Sequence, residues 1–213
     1  MTQPAPWTVG DDEDHWYGYL IPPDHLVLRN LVGATTAEAL EAAENDLLEY
    51  RLAELREHPE LVPRSYDLDH LCGLHRQLFQ DVYAWAGELR TVGLAKGEGD
   101  SFMPPHGIGR PVADAAARIV ETELLRRVPA AKLPAEIASL YDFLNFGHPF
   151  REGNGRTQRE FFAQLLAESG RGLAWDRIEM RELHSACDFA RNRGDLSYLR
   201  EIFEKILTGQ PSY

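Results

Sequence analysis

Two cysteines in 213 residues, Cys72 and Cys187, are too few for a disulfide-stapled scaffold. Both fall in apolar helical patterns, where a free thiol packs as a small hydrophobe in a reducing compartment. Basic residues are also short: 22 Lys and Arg against 34 Asp and Glu leave a net charge of −12. That balance argues against general nucleic-acid binding and against an anionic membrane surface, although a local basic pocket remains compatible with it. No apolar run approaches the ~18 residues of a membrane span. The N-terminus has no basic segment followed by an apolar one, so a secretory signal of the usual kind is missing. Internal repeats and low-complexity tracts are absent, and no two histidines stand at His-x-x-x-His spacing, which leaves a metal-hydrolase reading unsupported. The expectation is a soluble protein of the cytoplasm. It forms one large domain, or one domain with an arm, and its hydrophobic content of 44% suffices for a core.

Helical periodicity dominates the rest. Residues 1 to 30 carry Trp7, Trp16, Tyr17 and Tyr19, and with the acidic run Asp11 to Asp14 they read as an extended arm that lays its aromatics on the body. Thr35 and Glu38 have capping-box spacing and open a helix that His58-Pro59 ends. A second helix over about 69–83 places His75 on an apolar stripe with Leu71, Leu78 and Phe79, the position of a hydrogen-bonded core histidine. Between Leu89 and Ile108 the period breaks, and the glycines predict a short hairpin turning at Gly97-Glu98-Gly99-Asp100. Further helices are expected from Gly109 to Arg127, from about Ala135 to Gly147, and from about Asn154 to Gly170. Two more follow, capped by Asp176 and by Asp195. Seven helices and one hairpin with short connections predict an all-α, compact bundle. The expected organisation is an N-terminal arm and helix over 1–59, a catalytic domain over 60–208 and a tail over 209–213.

The chemistry concentrates in residues 148–159, His148-Pro149-Phe150-Arg151-Glu152-Gly153-Asn154-Gly155-Arg156-Thr157-Gln158-Arg159. A histidine can take a proton near neutral pH. A carboxylate such as Glu152 suits Mg²⁺, a hard cation that shares its shell with phosphates. Gly153, Asn154 and Gly155 lead into a helix whose unsatisfied N–H groups favour an anion. Arg156 and Arg159, three apart, leave one helical face with planar forks suited to phosphate oxygens. Phe150 is expected to be a structural anchor that buries its ring beneath the loop.

The stretch resembles the signature of the Fic family, His-x-Phe-x-(Asp/Glu)-Gly-Asn-Gly-Arg-x-x-Arg, with every fixed position matched. His75 through Phe79, Tyr83-x-Trp85-Ala86-Gly87-x-x-Arg90, Lys96-Gly97 with Phe102, and Gly194-Asp195 with Ile202-Phe203 are similar to further family segments. The likeness spans about residues 60–208, and the N-terminal region is similar to that of bacterial Fic toxins and host-targeted effectors. The resemblance implies transfer of AMP from ATP to a Tyr, Thr or Ser hydroxyl of a target protein. It makes His148 the general base and Glu152 the Mg²⁺ ligand. Gly153, Asn154 and Gly155 become the anion hole, Arg156 the β-phosphate ligand and Arg159 the γ-phosphate ligand. The hairpin, with Lys96 and Gly97, becomes a flap that borders the adenine and aligns the target.

The family also uses an inhibitory helix, (Ser/Thr)-x-x-x-Glu-(Gly/Asn), whose glutamate pairs with the second arginine. Glu44-Asn45, Glu98-Gly99 and Glu152-Gly153 follow Leu40, Leu94 and His148, so none carries the required hydroxyl residue. The expectation is a toxin-type protein inhibited in trans by a small antitoxin bearing that helix. Inhibition in cis by Glu44 is the alternative. Transfer of UMP, phosphocholine or phosphate, or a binding module with incidental catalysis, are the competing functions, and export into a host is the competing location.

Overall fold

The computed structural model describes residues 4–95 and 101–210. Among these the fold is helical: α1 (Asp12–Gly18), α2 (Ala37–Glu57), α3 (Leu68–Phe79), α4 (Gly109–Glu121), α5 (Leu133–Gly147), α6 (Asn154–Ala167), α7 (Met180–Arg193) and α8 (Ser197–Ile206). A small antiparallel sheet joins β1 (Gly172–Leu173) to β2 (Leu207–Thr208), pairing Gly172 with Thr208 and Leu173 with Leu207.

The apolar spacing of α5 explains its central place. Ile137, Leu140, Tyr141 and Leu144 are all buried, and α5 packs against α4, α6, α7 and α8. On α6 the residues Phe161, Phe162, Leu165 and Leu166 face the same core. Each such side chain stabilises the bundle by roughly 1.5–3 kcal/mol relative to exposure, so the α5–loop–α6 unit is anchored at both ends. A second cluster sets Trp7, Tyr19 and Leu40 against Leu78, Phe79, Tyr83 and Trp85, tying the N-terminal segment and α2 to α3 and the turn after it.

Several boundaries differ from expectation, for local reasons. The acidic run is a helix rather than an extended segment. Asp11 caps α1 in a capping box with Asp14, and Asp12, Glu13 and Asp14 fill the first turn, where the helix dipole favours negative charge. This adds an eighth helix to the seven anticipated. Thr36, not Thr35, caps α2. α4 stops at Glu121 because Glu123, Leu124 and Leu125 adopt positive φ. Asp176 lies in a short 3-10 turn, and Glu179 with Glu182 forms the capping box of α7 instead. Asp195 accepts the Ser197 N–H at 2.8 Å just ahead of α8. Ala95 bridges Ser101 in antiparallel sense and the Phe102 N–H donates to the Leu94 carbonyl at 3.0 Å, so the foot of the hairpin is paired. The turn itself, with Lys96 and Gly97, lies outside the described residues.

Candidate active site

α5 ends at His148, which takes a left-handed conformation with φ 42° and ψ 60°. An L-residue rarely adopts that shape without support, and here the support is Arg90. Its guanidinium donates to the carbonyls of His148 at 2.7 Å, Val92 at 2.6 Å, Gly147 at 3.3 Å, and Met103. The Arg90 backbone N–H donates to the Pro149 carbonyl at 2.9 Å. Only 2% of Arg90 is exposed, and burial pulls its pKa down to about 10. One cation thus collects the carbonyls at the end of α5 and both legs of the hairpin. The His148 ring stacks on Phe102, with centroids 3.7 Å apart and planes inclined by 13°.

The loop that follows is shaped by two internal ties. Phe150 is fully buried and stacks on His75 at 3.9 Å. His75 accepts the Gly87 N–H at Nδ1 (2.8 Å) and donates from Nε2 to the Glu152 carbonyl (3.0 Å), which assigns its tautomer. Desolvation pushes its pKa down to about 3, so it is a neutral positioning group rather than a proton carrier. Asn154 supplies the second tie: its Oδ1 accepts the Phe150 N–H at 2.8 Å and its Nδ2 donates to the Phe150 carbonyl at 2.7 Å. Its amide therefore holds the loop, and what it offers an anion is its backbone N–H.

Gly153 is the N-cap of α6 with φ 82°, and among the described residues no side chain caps that end. The glycine is required twice over: its φ is left-handed, and a Cβ there would stand 2.6 Å from Phe79 Cε2. The N–H groups of the first turn of α6 remain available where Asn154 and Gly155 line a cleft of about 340 Å³. His148, Glu152, Gln158 and Arg159 share that cleft. Arg159 is largely buried, which lowers its pKa through desolvation, and among the described residues no carboxylate pairs with it.

Arg156 is placed differently. It lines an adjoining groove of about 570 Å³, which Arg159 also borders along with Leu48, Leu52 and Trp175. Its Nη1 lies 2.8 Å from Glu44 Oε2, its Nη2 lies 3.5 Å from Glu152 Oε1, and its guanidinium sits 4.8 Å over the Phe79 ring. Glu44 pairs with this first arginine and not with Arg159, contrary to what inhibition in cis would need.

Glu152 is 47% exposed, and its Oε1 accepts the Gly153 N–H at 2.9 Å. One rim carboxylate, with no cluster of three His, Cys, Asp or Glu residues among the described residues, does not make an all-protein metal cage. It does fit Mg²⁺, which keeps water and substrate phosphate in most of its shell.

Two contributors escaped the sequence reading. The opposite wall of the cleft comes from α7, through Leu183, His184, Cys187, Asp188 and Arg191. The polar stripe His184, Asp188 and Arg191 at i, i+4 and i+7 was the available signal. Arg151, at a variable position of the stretch, is held over Trp16 at 4.5 Å and Tyr19 at 5.8 Å, linking the N-terminal segment to the loop.

A model of the Fic/DOC family matches residues 65–166. "Probable protein adenylyltransferase Fic" of Salmonella typhimurium is 35% identical over 187 residues, covering 87% of this chain and 90% of that relative. "Protein adenylyltransferase VbhT" of Bartonella schoenbuchensis is 35% identical over 164 residues, 77% of this chain but 34% of that longer protein. Among solved structures, the BepC effector of Bartonella tribocorum, with AMPPNP bound, superposes with a TM-score of 0.82 at 21% identity, over 92% of this chain and 97% of that one. That last likeness speaks to the fold.

Proposed function

The chain belongs to the Fic/DOC family, and we propose that it is a protein adenylyltransferase. It moves AMP from ATP to a Tyr, Thr or Ser hydroxyl of a target protein. The observation that carries this reading is the meeting of His148, Glu152, the uncapped start of α6 and Arg159 in one cleft. The names of the relatives and the nucleotide analogue bound to BepC support it.

The chemistry follows from the positions. His148 takes the hydroxyl proton as the oxygen bonds to the α-phosphorus, the bond to the bridging oxygen of the β-phosphate breaks, and pyrophosphate leaves. The backbone N–H groups of Asn154 and Gly155 meet the phosphates at the positive end of α6. Arg159 holds the γ-phosphate, and Arg156, at the rim beside Glu152, holds the β-phosphate. Glu152 would hold Mg²⁺, which when bound offsets phosphate charge. The family resemblance assigns Lys96 and Gly97, which lie outside the described residues, to bordering the base and aligning the target. The protein's own contribution is positioning plus electrostatics, with Arg90 and His75 keeping base and loop in place.

The domain boundary at residue 60 belongs to the same reading: the catalytic domain is 60–208, and the arm and α2 buttress it. So does control in trans. Arg159 borders both the cleft and the groove between α2 and α6. A small antitoxin could lay a helix in that groove and bring a glutamate to Arg159, competing with the γ-phosphate. No helix among the described residues is long and apolar enough to cross a membrane, in keeping with action in the cytoplasm, where ATP is plentiful.

The test is incubation of the protein in cell lysate with Mg²⁺ and ATP labelled on the α-phosphate, beside His148→Ala. Labelled protein is expected with the wild type alone. Absence of label with both, or equal label with both, would overturn the proposal.

A further inference from the structure

We propose that Glu44, on α2, is a positioning residue for Arg156, clamping the guanidinium so that one edge faces the nucleotide cleft. The inference rests on the adenylyltransferase reading for the role of Arg156 and on geometry for the clamp. Glu44 is 7% exposed, and both of its oxygens are engaged: Oε2 accepts from Arg156 Nη1 at 2.8 Å, and Oε1 accepts the Tyr83 hydroxyl. Phe79 supports the guanidinium face at 4.8 Å. With Nη1 taken and the face covered, Nη2 is the edge that reaches toward Glu152, at 3.5 Å, on the rim of the cleft. An incoming phosphate at Glu152 therefore meets an arginine already oriented, without the entropy cost of ordering a long side chain at that moment.

A movable brake is the opposite assignment for the same ion pair. It fails on burial. To release Arg156, Glu44 would have to remain as an uncompensated carboxylate against Tyr83 inside the α2–α3 packing, a strongly unfavourable state. Tyr83 instead holds the carboxylate from the interior side, and α2 is anchored through Leu40 in the cluster that contains Phe79 and Tyr83. The contact is a fixed wall. It spans 112 positions of sequence, and it gives the segment before residue 60 a task in the reaction besides packing.

The test is a double-mutant cycle between Glu44→Ala and Arg156→Ala, read by two measurements on the full chain: the Kd for AMPPNP with Mg²⁺, and kcat/KM for ATP in label transfer. With Arg156 present, Glu44→Ala is expected to weaken both on the order of tenfold to a hundredfold. With Arg156→Ala in place, it should change them less than about twofold, because the group it orients is gone. Glu44→Gln, which keeps shape and one acceptor, should recover part of the loss. If Glu44→Ala fails to fold, Tyr83→Phe serves instead, with a smaller loss that again vanishes in the Arg156→Ala background. Equal losses in both backgrounds would assign Glu44 a merely structural role and overturn the inference, as would a gain in activity with Glu44→Gln. A wild type that binds AMPPNP but transfers no label refutes the adenylyltransferase reading, while the binding cycle still decides this one.

Discussion

Replacing Arg90 by methionine keeps much of the volume and removes every side-chain donor from a buried hub. The carbonyls of His148, Val92, Met103 and Gly147 then lose their shared partner. Orphaned buried acceptors cost roughly 1–3 kcal/mol each. Against that stands the relief of no longer burying a cation that, among the described residues, has no carboxylate beside it. The net expectation is a loss of about 2–4 kcal/mol, a large share of the ~5–15 kcal/mol that holds a domain together. In urea, where a domain of this size has a slope near 2–3 kcal/mol/M, the midpoint should fall by roughly 1 M. Label transfer at a temperature where the variant is still folded should fall further than the folded fraction explains, because the left-handed turn at His148 loses its clamp. Arg90→Lys should recover only a part, since an ammonium cannot fork to four carbonyls. A midpoint within about 0.2 M of wild type, with activity retained, would refute the idea that Arg90 sets His148.

Gly153→Ala and Gly155→Ala should behave differently despite being two positions apart. At Gly153 the left-handed φ of 82° and a Cβ 2.6 Å from Phe79 predict a loss of about 3 kcal/mol or more in urea melts. At Gly155 the nearest atom to a Cβ is Arg159 Nη1 at 3.5 Å, an ordinary contact. Stability should hold within ~0.5 kcal/mol, while affinity for AMPPNP falls because the methyl group borders the anion position; equal stability losses would contradict this contrast. Acid should destabilise the fold through His70, which is 1% exposed and whose pKa burial lowers to about 4. The unfolded chain protonates this group near its ordinary 6.5 and the folded one only near 4, so stability present above 6.5 is lost as pH falls through that window. The slope is about 1.4 kcal/mol per pH unit. His70→Gln should flatten the dependence of urea stability on pH by that amount, and unchanged slopes would sink the assignment.

What the chain disclosed in advance was whatever depends on local pattern. The i, i+3, i+4, i+7 spacing of α5 and the paired phenylalanines of α6 named the two core helices. The stretch 148–159 lay where a helix end meets a helix start, and its glycines and charged residues declared their chemistry. What stayed hidden depends on distant partners. Arg90 closes a segment with a family likeness, but arginine is mostly a surface residue, so nothing local says that it will be buried against four carbonyls. The Glu44–Arg156 pair joins α2 to α6, and Glu44 in isolation invited comparison with an inhibitory glutamate aimed at Arg159. The wall built by α7 required knowing which face of that helix turns toward the cleft. The acidic run at residues 11–14 misled because its charge suits a solvated segment and a helix N-terminus equally.

The most direct test of the central claim is to run parallel reactions with ATP labelled on the α-phosphate or on the γ-phosphate, each with Mg²⁺ and with His148→Ala as control. The adenylyltransferase reading predicts labelled protein from the α-label alone, and none from the His148→Ala variant. Label carried over from the γ-phosphate, or the absence of label from either, would contradict it.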